Sequence, residues 1–247
     1  MIRVAVLLLL CMAGALWPAD LTAPVSASPI LDPEKEGREL ANRLRSSAPS
    51  TNSQFSGVLQ ITTRNDKVRL VPFLSRITVS PTNWEVVYET SPSYSGPPEK
   101  LTIIHTLGQS NEYLVAVGTN STPPASLTQP FAGSDFWLMD LGLEFLQWPQ
   151  QRAIRSEMIR TRPCRVLESV AVNPPRDGYL RVLSWVDLET AAVIQAEAYD
   201  RHNKVLKKFF LGSFKKIAGQ WQLRDMKIRN NRTGQQTDLK FDLQRRD

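Results

Sequence analysis

Cysteine and histidine are nearly missing from this sequence, which holds two of each in 247 residues. Cys11 lies in an apolar N-terminal run, so Cys164 has no partner for an internal disulfide. So few soft ligands exclude an ordinary zinc site. Long apolar stretches are lacking too: the longest, Val4 to Trp17, has 14 residues, short of the about 20 that a helix needs to cross a hydrocarbon core. There is no GxSxG elbow, phosphate-binding glycine loop, metal motif or internal repeat. A serine hydrolase would need a histidine beside its nucleophile, and only His105 and His202 are available. Each reads as structural, His105 near a strand end and His202 in the turn Asp-Arg-His-Asn-Lys.

What is present begins with an export pattern. MIR, then VAVLLLLCMAGALW, then a stretch ending VSAS give the charged, apolar and small-residue order of a secretory signal over residues 1–27, cleaved after Ala27. Leu10 stands where a lipid-attachment site wants a small residue before Cys11. Residues 28–247 then fit one domain. Its charge is uneven, with 13 Lys or Arg against four acids in residues 201–247 and 17 against 20 before them. These cations alternate with apolar residues, as on the wet face of a sheet, or they serve anionic headgroups or an acidic partner.

The local pattern predicts mainly β structure with some α. Asp32-Pro33-Glu34 opens a short amphipathic helix whose stripe is Gly37, Leu40, Ala41 and Leu44. Antiparallel strands follow at about 55–63, 67–79, 83–90, 99–106 and 111–118. A second series runs near 153–160, 164–172, 179–187, 192–199, 204–214, 220–229 and 236–243, and meander connectivity is the simplest reading. The last run alternates cleanly, with Thr237, Leu239, Phe241 and Leu243 on one face. Trp221 and Leu223 follow one phase and Met226 and Ile228 the other, which predicts a bulge near Arg224-Asp225. Between the two series lies FAGSDFWLMDLGLEFLQWP. As a helix it would place Trp137, Leu141, Phe145 and Trp148 on one face, with Asp140, Glu144 and Gln147 as a polar stripe, ending at Pro149. That face either packs onto the sheet or closes an apolar cavity as a lid. Asp187 and Glu189 fall at a hairpin corner, where solvation suits them. Cys164 lies beside Arg162 and Arg165, which would lower its thiol pKa unless burial leaves it idle.

Four segments carry a family resemblance: GSDFWLMDL, RPCRVLES, YLRVLSWVDLETAAVIQAEAYDRHNKVLKKF and GQWQLRDMKIRNNRTGQQTDLKF. Over roughly residues 130–243 the chain resembles the LolA/LolB-like superfamily of outer-membrane lipoprotein-sorting proteins, and within it a poorly characterised lipoprotein-sorting branch. The resemblance implies a strongly curved, half-open antiparallel β barrel with helices plugging its concave side. It implies a periplasmic carrier that shelters lipoprotein acyl chains or phospholipid in an apolar cavity; apart from the resemblance, no cofactor is expected and export disfavours nucleic acid. Trp137, Leu141, Phe145 and Trp148 would be lid contacts, and Leu59, Ile61, Trp84, Val86 and Trp185 the sheet lining. The arginine that locks the lid of the classical carrier has no match in these segments. A monomer with peripheral membrane contact and a transient envelope partner fits the carrier. A sensor or scaffold of the same fold that binds a partner protein is the second reading, and an enzyme acting on envelope lipids the third.

Overall fold

The computed structural model describes residues 29–91, 97–117, 120–217 and 220–242, so the signal segment and Leu243 lie outside the described residues. Helix α1 (Pro33–Arg45) starts where Asp32 accepts the Lys35 N–H at 3.0 Å, with Glu34 and Glu36 in its first turn and Arg43 and Arg45 in its last. Strands β1 (Ser53–Thr62), β2 (Val68–Val79), β3 (Asn83–Thr90), β4 (Lys100–Thr106), β5 (Glu112–Val117) and β6 (Asn120–Thr122) follow. After residues 131–148 come β7 (Gln150–Ile159), β8 (Arg162–Val170), β9 (Arg181–Asp187), β10 (Val193–Tyr199) and β11 (Val205–Leu211). The chain closes with β12 (Phe214–Ile217), β13 (Gln220–Leu223), β14 (Asp225–Asn230) and β15 (Gln236–Phe241).

Thirteen of these strands form one antiparallel sheet that curves without closing, its edges being β6 and β7. Each half is a meander, and the halves meet where β1 pairs with β15, Leu59 opposite Leu239 and Ile61 opposite Thr237. Strands β12 and β13 pair only with each other. The alternation expected of β15 is present, with Thr237, Leu239 and Phe241 buried on the inner face. Helix α1 seats on β7 through Gly37, where an added Cβ would lie 2.4 Å from Arg152 Cα. Arg165 on β8 reaches Glu36 of α1 at 2.6 Å.

Two local expectations are corrected. The change of phase near Arg224 involves no inserted residue. Leu211 pairs with Met226 and Phe214 with Leu223 in one unbroken register, so both strands of the hairpin bend together at Gly212, Ser213 and Arg224. The Asp225 carboxylate holds the bend by accepting the Ser213 N–H at 3.2 Å, where a Cβ on Gly212 would collide with it. Asp187 is not solvated: its carboxylate is buried, pairs with Arg162 and accepts the N–H groups of Glu189 and Thr190 at 2.8 and 3.3 Å.

Candidate functional site

The segment 131–148 occupies the concave side of the sheet, but not as one helix. It is a 3-10 turn at Phe131–Gly133, a single α turn, α2 (Leu138–Leu141), and a second 3-10 turn at Glu144–Gln147. Gly142 ends α2 and Leu143 takes a left-handed φ of 50°. That break turns apolar side chains inward on several sides, so Phe136, Leu138, Met139, Leu141, Phe145 and Leu146 all join the main core. The segment packs as a plug and not as one amphipathic helix.

Polar tethers fix the plug at three places. At its start, the Ala132 N–H donates to Glu99 at 2.8 Å and the Ala132 carbonyl accepts from Arg69 at 2.9 Å. At its end, the Gln151 amide donates to the carbonyls of Phe145 and Trp148 at 3.0 and 2.8 Å. There Asn111 donates to the Gly142 carbonyl at 2.9 Å and accepts from His105 Nδ1 at 2.8 Å, and Tyr113 donates to Glu144 at 2.9 Å. Burial pushes the Glu144 carboxyl up, with Tyr113 and Asn111 opposing it. Burial also lowers His105 to about 4, so its ring is neutral and donates from Nδ1 while it stacks on Trp84.

The central tether is a buried lysine. Lys207 on β11 is 2% exposed, and its ammonium donates to the Asp135 carbonyl at 2.7 Å and to Asp140 Oδ2 at 3.0 Å. It lies 3.5 Å from the centre of the Trp137 ring, which stacks on Tyr179. Asp140 is saturated: Oδ1 accepts the Tyr179 hydroxyl at 2.8 Å, and Oδ2 also accepts the Trp137 N–H at 2.8 Å. Burial brings Lys207 down to about 8, with Asp140 opposing the shift. Asp135, raised by burial, accepts the Thr237 hydroxyl at 2.9 Å.

Two small cavities flank the plug. One of about 60 Å³ is bordered by Trp84, His105, Leu141 and Leu146. The other, of about 40 Å³, is bordered by Phe136, Phe145, Tyr179, Ala196, Ala198 and Lys207. Leu143 and Val193 border both. Since one water needs roughly 10–15 Å³ measured this way, each holds a few waters at most.

Of the residues expected to form a lid face, Leu141 borders the first cavity and Phe145 the second. Trp137 and Trp148 are half-buried against the main core, and the broken backbone keeps the four from sharing one helical face. Leu59, Ile61, Trp84 and Val86 are buried in the same core, with Trp84 reaching a cavity. Trp185 does not line the concave side. It packs on the outer face with Cys164, Val166 and Leu183, and its indole donates to Glu157 at 2.5 Å. Alternation along β9 sends Val182 and Val186 to the main core, which puts Trp185 on the other side. Cys164 is buried there, and desolvation pushes its thiol up to about 11, against the lowering expected from neighbouring arginines. His202 lies exposed in its turn.

Lys207, Tyr179, Asp140 as an inward anchor, and the small residues Ala196 and Ala198 were not foreseen. A signal for Lys207 exists: Lys207, Phe209 and Leu211 share a phase, and the last two are typical of a core face.

A family model that describes an uncharacterized protein matches residues 112–246. No curated protein matches the sequence. The structure is similar to that of a DUF1329 family protein from Desulfovibrio piger, with 22% identity, a TM-score of 0.70, and coverage of 86% of this chain and 92% of that one. It is similar to a putative outer membrane lipoprotein-sorting protein domain from Vibrio parahaemolyticus, with 17% identity, a TM-score of 0.69, and coverage of 84% and 90%. A LolA superfamily protein from Nitrosomonas europaea gives 20% identity, a TM-score of 0.58, and coverage of 85% and 92%. At these identities the likeness concerns the fold.

Proposed function

This chain belongs to the uncharacterized family matched over residues 112–246 and has the LolA-like fold, and from that premise we propose that it is a periplasmic acyl-chain carrier. Its cargo would be lipoprotein acyl chains or lipid, held between the concave sheet face and a displaced plug. The observation that carries this reading is the plug itself. An apolar segment with little regular structure covers the concave face and is held there by side chains of the sheet. Two cavities separated by Leu143 mark where the packing is incomplete.

Both cavities are too small for an acyl chain, so cargo entry requires the plug to move. Each methylene buried gains roughly 0.8 kcal/mol, so ten would gain about 8 kcal/mol. The plug's own apolar side chains compete for the same surface, which lowers net affinity and eases release. Lys207 then serves as the cation that registers the plug against the sheet.

Native mass spectrometry of residues 28–247 purified from an envelope fraction tests the proposal. Co-purifying mass that organic solvent extracts as lipid or acylated peptide is the expected result. A clean protein mass, unchanged after incubation with phospholipid and an acylated peptide, would sink it. That outcome would favour a partner-protein-binding role, to which one observation points: Val68 and Leu70, 54% and 57% exposed, stand two residues apart on one face of β2.

A further inference from the structure

Lys207 stands on the inner face of the sheet in a setting that supplies no anion of its own. Its cross-strand neighbours are Ala198 on β10 and Asn230 on β14. The Asn230 side-chain oxygen is already engaged, accepting the N–H groups of Arg232 and Thr233 at 3.0 and 3.3 Å. Both groups that satisfy the ammonium, the Asp140 carboxylate and the Asp135 carbonyl, belong to the plug. Among the described residues, Asp140 is the one acid that borders this cavity.

The pairing is also geometrically specific. The two oxygens of Asp140 are held by two donors outside the plug, Oδ1 by the Tyr179 hydroxyl at 2.8 Å and Oδ2 by Lys207 Nζ at 3.0 Å. Tyr179 belongs to the connection between β8 and β9, and its backbone position is fixed because the next residue, Leu180, donates to the Tyr199 carbonyl at 2.7 Å. When the plug withdraws, an ammonium and a phenol remain at the floor of an apolar hollow, spaced to grip both oxygens of one carboxylate. A buried charge stripped of its partner is strongly unfavourable. A ligand that brings an anion removes that penalty, and a neutral one does not.

We infer that Lys207 and Tyr179 form a receptor for an acidic group carried by the acyl ligand, a carboxylate or a phosphate that takes the place of Asp140. The inference rests on the acyl-binding reading above and narrows it to anionic amphiphiles, with the acid bound inside and the tail along Ala196, Ala198 and Val193. The two small alanines leave room there that bulkier residues would fill.

The test is the affinity of residues 28–247 for three probes with the same chain, each below its micellar concentration: palmitate, palmitoyl lysophosphatidate and monopalmitoylglycerol. The wild-type protein should bind at least one of the two acids tenfold or more tightly than the neutral glyceride, and the tighter acid identifies the group. In Lys207→Met the three should bind alike. In Asp140→Asn, where the competing carboxylate is gone, the preference for acid should widen. Equal binding of acid and glyceride by the wild type would overturn the inference while leaving acyl binding intact, as would a preference that survives in Lys207→Met. Failure of all three probes to bind would remove the acyl-binding reading and this inference with it.

Discussion

Replacing Lys207 by methionine should cost the fold little at pH 7, because two large effects nearly cancel. An ordinary lysine titrates near 10.5 and Lys207 near 8, a difference worth about 3 kcal/mol against the charged form in the folded state. Methionine fills similar volume without that cost. The opposing loss falls on Asp140, which keeps the Tyr179 hydroxyl and the Trp137 N–H but is left a largely buried carboxylate without its cation, and stripping one partner from a buried pair costs about 3–5 kcal/mol. The net expectation at pH 7 is a loss of up to about 2 kcal/mol, at most about 4–8 °C in Tm for a domain of this size. The sign of the pH dependence follows from the same displacement. Between about 8 and 10.5 the unfolded amine binds a proton that the folded one has released, so wild-type stability from this group rises with pH through that window. The deficit of Lys207→Met should therefore be smallest below pH 8 and grow towards pH 10. Urea unfolding of both proteins at pH 7 and pH 10 measures it, and the difference between the two cancels other groups that titrate. A variant more stable than wild type by more than 1 kcal/mol at pH 7, or a difference that ignores pH, would refute the reasoning.

On the carrier reading, in which the plug leaves its seat while the sheet stays folded, Phe145→Asp should weaken acyl binding far more than it lowers folding stability. Equal loss in titration and urea unfolding would make Phe145 an ordinary core residue. Gly37→Ala should cost about 1–3 kcal/mol in urea, since the new Cβ would meet the backbone of Arg152 and Gln151 rather than a side chain that can swing away; a neutral result would show that α1 shifts freely on β7. Cys164, buried and titrating near 11, should resist a thiol reagent at pH 8 until urea unfolds the chain, and prompt labelling of the native protein would contradict its burial.

The sheet was legible because most strands are buried on one face, as β15 is with Thr237, Leu239 and Phe241 inward and Lys240 outward. Where both faces are covered the period of two carries no orientation. Residues 182–187 of β9 are all buried, so nothing in the sequence told which face Trp185 would join. The plug was legible as an apolar interruption but not as a shape, because Gly142 and the left-handed Leu143 turn the chain where helical spacing would carry it on. Lys207 was hidden by its neighbour: the pair Lys207-Lys208 reads as one basic patch, yet alternation sends Lys208 outward to Glu197 at 2.7 Å and Lys207 into the core.

The pairing of β1 with β15 has a consequence for biosynthesis. As the chain emerges, β1 to β6 can form a meander of their own, but the bonding edge of β1 stays bare until the last strand arrives from the far end of the sequence. Closing so long a loop is slow, and the bare edge is a template for other chains meanwhile. A polypeptide cut short before Gln236 would leave the edges of both β1 and β14 unsatisfied at once, joining a small deletion to a large tendency to aggregate.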